Sequence, residues 1–303
     1  SKTGIYMSLT GYFYGSIGDR FGESVSDAGD VNGDGYSDII IGAPGNNNNS
    51  GRFLVIFGGA PSINFSSRIF QNGNQENAFL GGSVASAGDV NGDGYSDIII
   101  GASGYSSDQS NEGRAYVYYG SFNGVNLKDP VILEADQEDA AFGISVSGAG
   151  DVNGDGYSDV IVGAAYYDNG NTSEGAAFIY PGGADGLSNV PMIMLDGAGQ
   201  DNACFGYSVA DAGDVNGDGF ADVIVGAYLR DNTRDLVSSI ERDSLVCMDA
   251  GSAYIYLGSP TGPSSTPDWT EYFQRSNAHF GYSVAGAGDV NGDGFADVII
   301  GAP

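Results

Sequence analysis

Short apolar runs recur along the chain, each preceded by an acidic, glycine-rich stretch. Ile39-Ile40-Ile41, Ile98-Ile99-Ile100, Val160-Ile161-Val162, Val223-Ile224-Val225 and Val298-Ile299-Ile300 are β-branched throughout, and each ends at a Gly-Ala pair. Runs this short and this β-branched predict strands, not helices. On the other side of each acidic stretch lies a second short segment, such as Phe21 to Ala28, which also reads as a strand. The two therefore form a hairpin around the acidic loop. A third strand is bounded by glycines seven residues apart: Gly51 and Gly58, Gly113 and Gly120, Gly175 and Gly182, Gly251 and Gly258. A fourth is less regular, as in Arg68-Ile69-Phe70 and Pro191 to Leu195. Four antiparallel strands per unit is the anatomy of a propeller blade.

The unit repeats. DVNGDGYSD begins at Asp30, Asp89 and Asp151, and DVNGDGFAD at Asp214 and Asp289, so successive starts lie 59, 62, 63 and 75 residues apart. A Phe-Gly pair opens each unit at Phe21, Phe142, Phe205 and Phe280, and at Phe79 with Leu80 intervening before Gly81. The expected architecture is all-β: a β-propeller of five four-stranded antiparallel blades, forming a single domain over residues 1–303. The fifth unit supplies two strands before Gly301-Ala302-Pro303. Gly4 to Gly11 and Gly11-Tyr12-Phe13-Tyr14 read as the missing pair, so the N-terminal strands would complete the last blade and close the ring, leaving no long strand edge. The spacing from Gly11 to Phe21 is only 10 residues, against 21 from Gly58 to Phe79, so the alternative is five blades of a larger ring, which predicts self-association.

Composition agrees with many short strands and tight turns: 51 Gly, 19 Tyr and 15 Phe in 303 residues. The net charge of −29 argues against nucleic acid and anionic lipid as partners. No apolar run approaches the roughly 20 residues needed to cross a bilayer, so membrane insertion is not expected. Such a charge opposes compaction unless cations bind, and the acids do cluster.

In Asp30-Val31-Asn32-Gly33-Asp34-Gly35-Tyr36-Ser37-Asp38, side-chain oxygens recur at loop positions 1, 3, 5 and 9, and position 7 offers its backbone carbonyl. Gly at position 6 permits the sharp turn, and dense hard oxygen donors favour Ca2+. The metal-ligating candidates are therefore Asp30, Asn32, Asp34, Tyr36 and Asp38; Asp89, Asn91, Asp93, Tyr95 and Asp97; Asp151, Asn153, Asp155, Tyr157 and Asp159; Asp214, Asn216, Asp218, Phe220 and Asp222; and Asp289, Asn291, Asp293, Phe295 and Asp297. Position 12 holds Ile41 where an EF-hand needs Glu, which removes the helix-loop-helix reading. A plain turn would explain Asp, Asn and Gly, but not three carboxylates brought together five times. About five Ca2+ per chain are expected, and they would reduce the net charge from −29 to −19.

The Phe-Gly opening with a Gly-Ala-Pro close, as in Phe21-Gly22 with Gly42-Ala43-Pro44 and Phe280-Gly281 with Gly301-Ala302-Pro303, resembles the FG-GAP family. Its best-known members include the head of the integrin α-subunit, a seven-bladed propeller. The resemblance implies a calcium-stabilised propeller acting as an adhesion or recognition module, secreted or at the cell surface. It also implies a protein or glycan partner on the blade-connecting face, opposite the calcium loops. That face carries the longest connection, Arg230 to Ala250, with Arg230, Arg234, Arg242 and Leu236-Val237. Cys204 and Cys247 flank the same blade, either disulfide-bonded or as buried thiols. His279 is the only histidine and no nucleophile-base set recurs, so the chain does not read as an enzyme. A lyase or hydrolase working in the central funnel, or a structural subunit of a surface assembly, are the alternatives.

Overall fold

A computed structural model describes residues 15–59, 67–197, 199–234 and 245–303. Each β-branched run becomes the second strand of an antiparallel sheet. Blade 1 is β1 (Val25–Gly29), β2 (Asp38–Gly42), β3 (Arg52–Ile56) and β4 (Arg68–Asn72), hydrogen-bonded in that order. Blade 2 repeats it with β5 (Val84–Gly88), β6 (Asp97–Ala102), β7 (Arg114–Tyr118) and β8 (Val131–Leu133). Blade 3 comprises β9 (Phe142–Gly150), β10 (Asp159–Ala164), β11 (Ala176–Tyr180) and β12 (Ile193–Leu195). In blade 4, β13 (Phe205–Gly213) and β14 (Asp222–Ala227) are followed by a separate hairpin, β15 (Asn232–Arg234) with β16 (Leu245–Cys247), before β17 (Ser252–Tyr256) and β18 (Trp269–Tyr272). Blade 5 shows β19 (Ser283–Gly288) and β20 (Asp297–Gly301). The expected strands at 4–14 that would complete it lie outside the described residues.

Successive blades stack through their first strands, β1 on β5, β5 on β9, β9 on β13 and β13 on β19. Both faces of an inner sheet are thus covered, which is why the second strands are apolar at consecutive positions instead of alternating. The β6, β10 and β14 strands are buried from end to end. The middle residues Ile40, Ile99, Ile161 and Ile224 are fully buried.

The Phe-Gly and Gly-Ala motifs meet at every junction. A Cβ built on Gly42, Gly101 or Gly163 would sit 1.9 Å from the carbonyl oxygen of Gly81, Gly143 or Gly206 in the next blade, and one on Gly226 would sit 2.0 Å from that of Gly281. The two glycines lie back to back, and no side chain fits between them. Just upstream, a parallel bridge joins Gly113 to Phe142, Gly175 to Phe205 and Gly251 to Phe280. In blade 2 the residue in that place is Leu80, bridged to Gly51, so Leu80 and not Phe79 is the counterpart of the other phenylalanines. Phe79 occupies the preceding position at φ 57°, as Ala141, Cys204 and His279 do before their phenylalanines, and its ring lies under the Arg20 guanidinium at 5.4 Å.

This close contact gives a direct contrast between two equivalent glycines. Gly163→Ala should lower stability by about 1–3 kcal/mol or more, because the added methyl overlaps backbone that cannot rotate away. Gly301→Ala, whose new Cβ would meet nothing nearer than 3.4 Å, should leave stability within about 0.5 kcal/mol. Chemical denaturation of both variants checks this; equal effects would show that the glycine pairs do not set the blade spacing.

Candidate functional site

Each acidic loop is wound around its first aspartate. Asp30 Oδ1 accepts from the amides of Gly33 (2.7 Å) and Asp34 (3.1 Å), and Oδ2 from that of Gly35 (2.8 Å). Asn32 Oδ1 accepts from the Asp34 amide at 2.9 Å and Asp34 Oδ1 from the Tyr36 amide at 3.0 Å. Gly33 (φ 72°) and Gly35 (φ 87°) supply the left-handed backbone that turns alternate side chains inward. The loops that begin at Asp89, Asp151, Asp214 and Asp289 repeat these contacts, with Asp289 Oδ1 bonded to Gly292 at 2.6 Å.

The ninth residue has a second task that its sequence pattern did not reveal. Asp38 accepts from the Val31 amide within its own loop (3.0 Å) and from the Gly58 amide at the exit of the third strand (2.7 Å). Asp97 does the same with Val90 (2.9 Å) and Gly120 (2.8 Å), Asp159 with Val152 and Gly182 (both 2.9 Å), and Asp222 with Val215 and Gly258 (both 2.8 Å). Asp297 makes the first of these contacts, to Val290, at 2.8 Å. The available signal was the glycine that closes each third strand at a fixed place. Asp38, Asp97, Asp159 and Asp222 are buried, and burial pushes the carboxyls of Asp97 and Asp159 up to about 7, with the loop's other aspartates adding to the effect against two amide bonds. Asp38 and Asp222 are raised by the same causes. Asp289 is instead lowered, chiefly by the Gly294 amide.

Among the described residues no three acidic side chains converge on one point; in each loop they face the amides. The donor set nevertheless fits a hard divalent cation. All its members are oxygens, and the ninth carboxyl is raised chiefly by burial, with the charge of the loop's other aspartates adding to it, an imbalance that a cation would relieve.

The opposite ends of the strands form the blade-connecting face. Glutamines in the blade connections clamp the loop of the next blade. Gln75 Nε2 donates to the Ser106 carbonyl and its Oε1 accepts from the Ser106 amide, both at 2.7 Å, and Gln137 repeats this with Asp168. On this face Tyr207, Tyr228 and Tyr282 pack together, with ring centroids 4.4 Å apart for Tyr207 and Tyr228, 5.2 Å for Tyr207 and Tyr282, and 5.3 Å for Tyr228 and Tyr282. His279 meets Tyr228 edge-on at 5.9 Å, which makes it a packing residue. Desolvation pushes the Tyr228 phenol up to about 12 and raises that of Tyr207. The sequence reading missed this cluster, although Tyr207 and Tyr282 each follow a Phe-Gly pair and Tyr228 follows a Gly-Ala pair.

Cys204 and Cys247 are both buried free thiols, so the disulfide is not formed; burial pushes the Cys204 thiol up to about 11. In the long connection, Arg230 is held by Asn232 (2.9 Å) and Ser252 (3.3 Å) and anchors the loop. Arg234 belongs to β15, and Leu236, Val237 and Arg242 lie outside the described residues.

The raised carboxyls give a pH dependence. In the folded, metal-free chain Asp97 and Asp159 hold protons up to about pH 7, whereas unfolded they release them near 3.8. Their contribution to stability is therefore present in acid and is lost as pH rises through about 7. In chelator, the melting temperature should be higher near pH 5 than near pH 8, and calcium should erase that difference. A metal-free chain that gains stability over this range would refute the assignment.

A profile of the FG-GAP repeat matches residues 21–56, 81–118, 142–180, 205–238 and 280–303, together more than half of the chain. The chain is 35% identical over 237 residues to integrin alpha pat-2 of Caenorhabditis elegans, covering 73% of this chain and 19% of that protein. It is 33% identical over 224 residues to integrin alpha-5 of Xenopus laevis, covering 70% and 20%, and 34% identical over 213 residues to integrin alpha-V of Gallus gallus, covering 66% and 19%. The chain thus spans about a fifth of the length of these curated relatives. With the glycine junctions and the acidic hairpins repeated blade by blade, these matches make the chain a member of the FG-GAP repeat family, as a β-propeller similar to the integrin α head.

Proposed function

We propose that this chain is a calcium-stapled recognition module that binds a protein partner through its blade-connecting face, at the cell surface or outside the cell. The tyrosine cluster carries this reading. Three tyrosines pack through tilted and edge-on ring contacts at the surface, Tyr207 and Tyr228 half-buried, with Tyr282 42% and nearby Tyr166 40% exposed. Rigid, half-desolvated tyrosines supply large contact area at low entropic cost, which is why they dominate binding hot spots. On the same face a broad depression of about 840 Å3, lined by Gln109, Asn111, Asp139, Tyr166 and Asp168, lies beside them. An open surface of this shape suits a macromolecular partner better than a small substrate enclosed for catalysis. The relatives carry the integrin name, which fits adhesion.

In this reading the five acidic loops hold Ca2+ through their first, third, fifth and ninth side chains and the seventh carbonyl. The metal's role is structural. The ninth aspartate already ties the loop to the third strand, so a cation held by the same carboxylate would lock the hairpin and the strand exit together, and binding energy would become folding energy.

Metal analysis of the purified chain should find about five Ca2+, and chelation should lower the melting temperature reversibly. No bound metal with an unchanged melt would remove calcium from the proposal. For the partner, the immobilised chain should retain an extracellular matrix protein from a defined panel, and Tyr282→Ala should weaken that binding about tenfold or more at unchanged stability. A panel that binds equally well to wild type and Tyr282→Ala would move recognition off this surface.

A further inference from the structure

The chain contains eight Asn-Gly steps. Such a step is chemically weak. The backbone nitrogen that follows the asparagine can attack the side-chain carbonyl carbon, and a glycine there has no Cβ to hinder the approach. In a folded protein the outcome turns on that amide. A nitrogen held in a hydrogen bond can neither swing toward the side chain nor give up its proton until the segment opens locally.

Seven of the eight amides are held. In the acidic loops, those of Gly33, Gly92 and Gly154 donate to Asp30, Asp89 and Asp151 Oδ1 at 2.7 Å, and those of Gly217 and Gly292 donate to Asp214 and Asp289 Oδ1 at 2.6 Å. The carboxylate beside each also opposes the negative charge that develops on a deprotonating amide. Gly73, after Asn72, donates to the Gly51 carbonyl at 2.8 Å, and Gly124, after Asn123, to that of Ser121 at 2.7 Å.

Gly170, after Asn169, differs. Its amide makes no hydrogen bond among the described residues, both residues are exposed, and a Cβ on Gly170 (φ 110°) would meet nothing within 4 Å. The backbone on either side is fixed, with the Asp168 amide on Gln137 Oε1 at 2.6 Å and the Asn171 amide on Glu174 Oε2 at 3.0 Å. Meanwhile the Asn169 side chain has a task. Its Nδ2 donates to the carboxylate of Asp196, just past β12, and so latches the loop between β10 and β11 to the exit of the outer strand.

We infer that Asn169 is a site of spontaneous deamidation that unlatches this loop. The Gly170 nitrogen bonds to Asn169 Cγ, the Cγ–Nδ2 bond breaks, and ammonia leaves with the proton that the amide gave up. Water then opens the resulting succinimide at either carbonyl, leaving aspartate or isoaspartate. The donor to Asp196 is lost, and a new carboxylate stands between Asp168 and Asp196, where like charges repel. The loop concerned supplies Asp168, Thr172 and Ser173 to the depression on the blade-connecting face. The chemistry itself is independent of what that face binds.

Incubation of the full chain in mildly alkaline calcium buffer, with peptide mass spectrometry at intervals, tests the site. Asn169 should be converted at least about tenfold faster than any other Asn-Gly step, since the others react only through local opening. In denaturant all eight steps should react alike. Equal rates in the folded chain, an Asn169 that stays intact, or the same preference in denaturant would overturn the inference. For the latch, Asn169→Asp carries the charge of the product. It should speed hydrogen exchange across residues 167–175, and adding Asp196→Asn should restore protection, because donor and acceptor are then interchanged. Exchange that does not change in Asn169→Asp, or is not restored by the second substitution, would overturn the unlatching.

Discussion

Two glycines placed back to back across each blade junction set the distance on which every other contact relies. With Gly163 against Gly206, and the same arrangement at the three other junctions, the first strands of neighbouring blades approach closely enough for a loop aromatic to lie on its neighbour's glycine. They are also close enough for a serine hydroxyl to reach the next blade's valine amide at 3.0 Å. A methyl group at that point would separate all of these together. Close backbone approach is therefore what the glycines of both pairs contribute, and those of the Phe-Gly pairs also supply the left-handed backbone of a tight turn, as at Gly143 (φ 81°) and Gly206 (φ 83°).

The acidic hairpins depend on that spacing in turn. Their ninth aspartates are buried between a loop amide and the exit of the third strand, so loop and sheet are one unit before any cation is considered. The same burial that makes this clamp rigid also makes its charge costly, which is why Asp97 and Asp159 are raised so far. Stability of the loop and affinity for a hard cation are two expressions of one arrangement.

Much of this was legible in the chain itself, because strand length, β-branching and the glycine bounds are local signals. β3, β7, β11 and β17 fall between the predicted glycine pairs, and the four-strand order holds in four blades. What escaped was contact between residues of neighbouring blades, from about half a repeat to a whole repeat apart. Leu80 takes the place expected for Phe79 because the bridge to Gly51, a tertiary contact, decides the register. The tyrosine cluster is assembled from two blades, and Tyr207 and Tyr282 are 75 residues apart. The glutamine clamps reach across 31 residues. No periodicity within one unit marks any of these partners.

Identical junctions also bear on how such a chain changes length. Because each blade meets its neighbours through the same glycines, the same serine and the same loop ring, no single junction encodes the number of blades. A duplicated or deleted unit would find ready-made partners on both sides. Blade number is thus a property that gene duplication can alter in one step, while the shape of the individual unit is held fixed by contacts that tolerate almost no substitution.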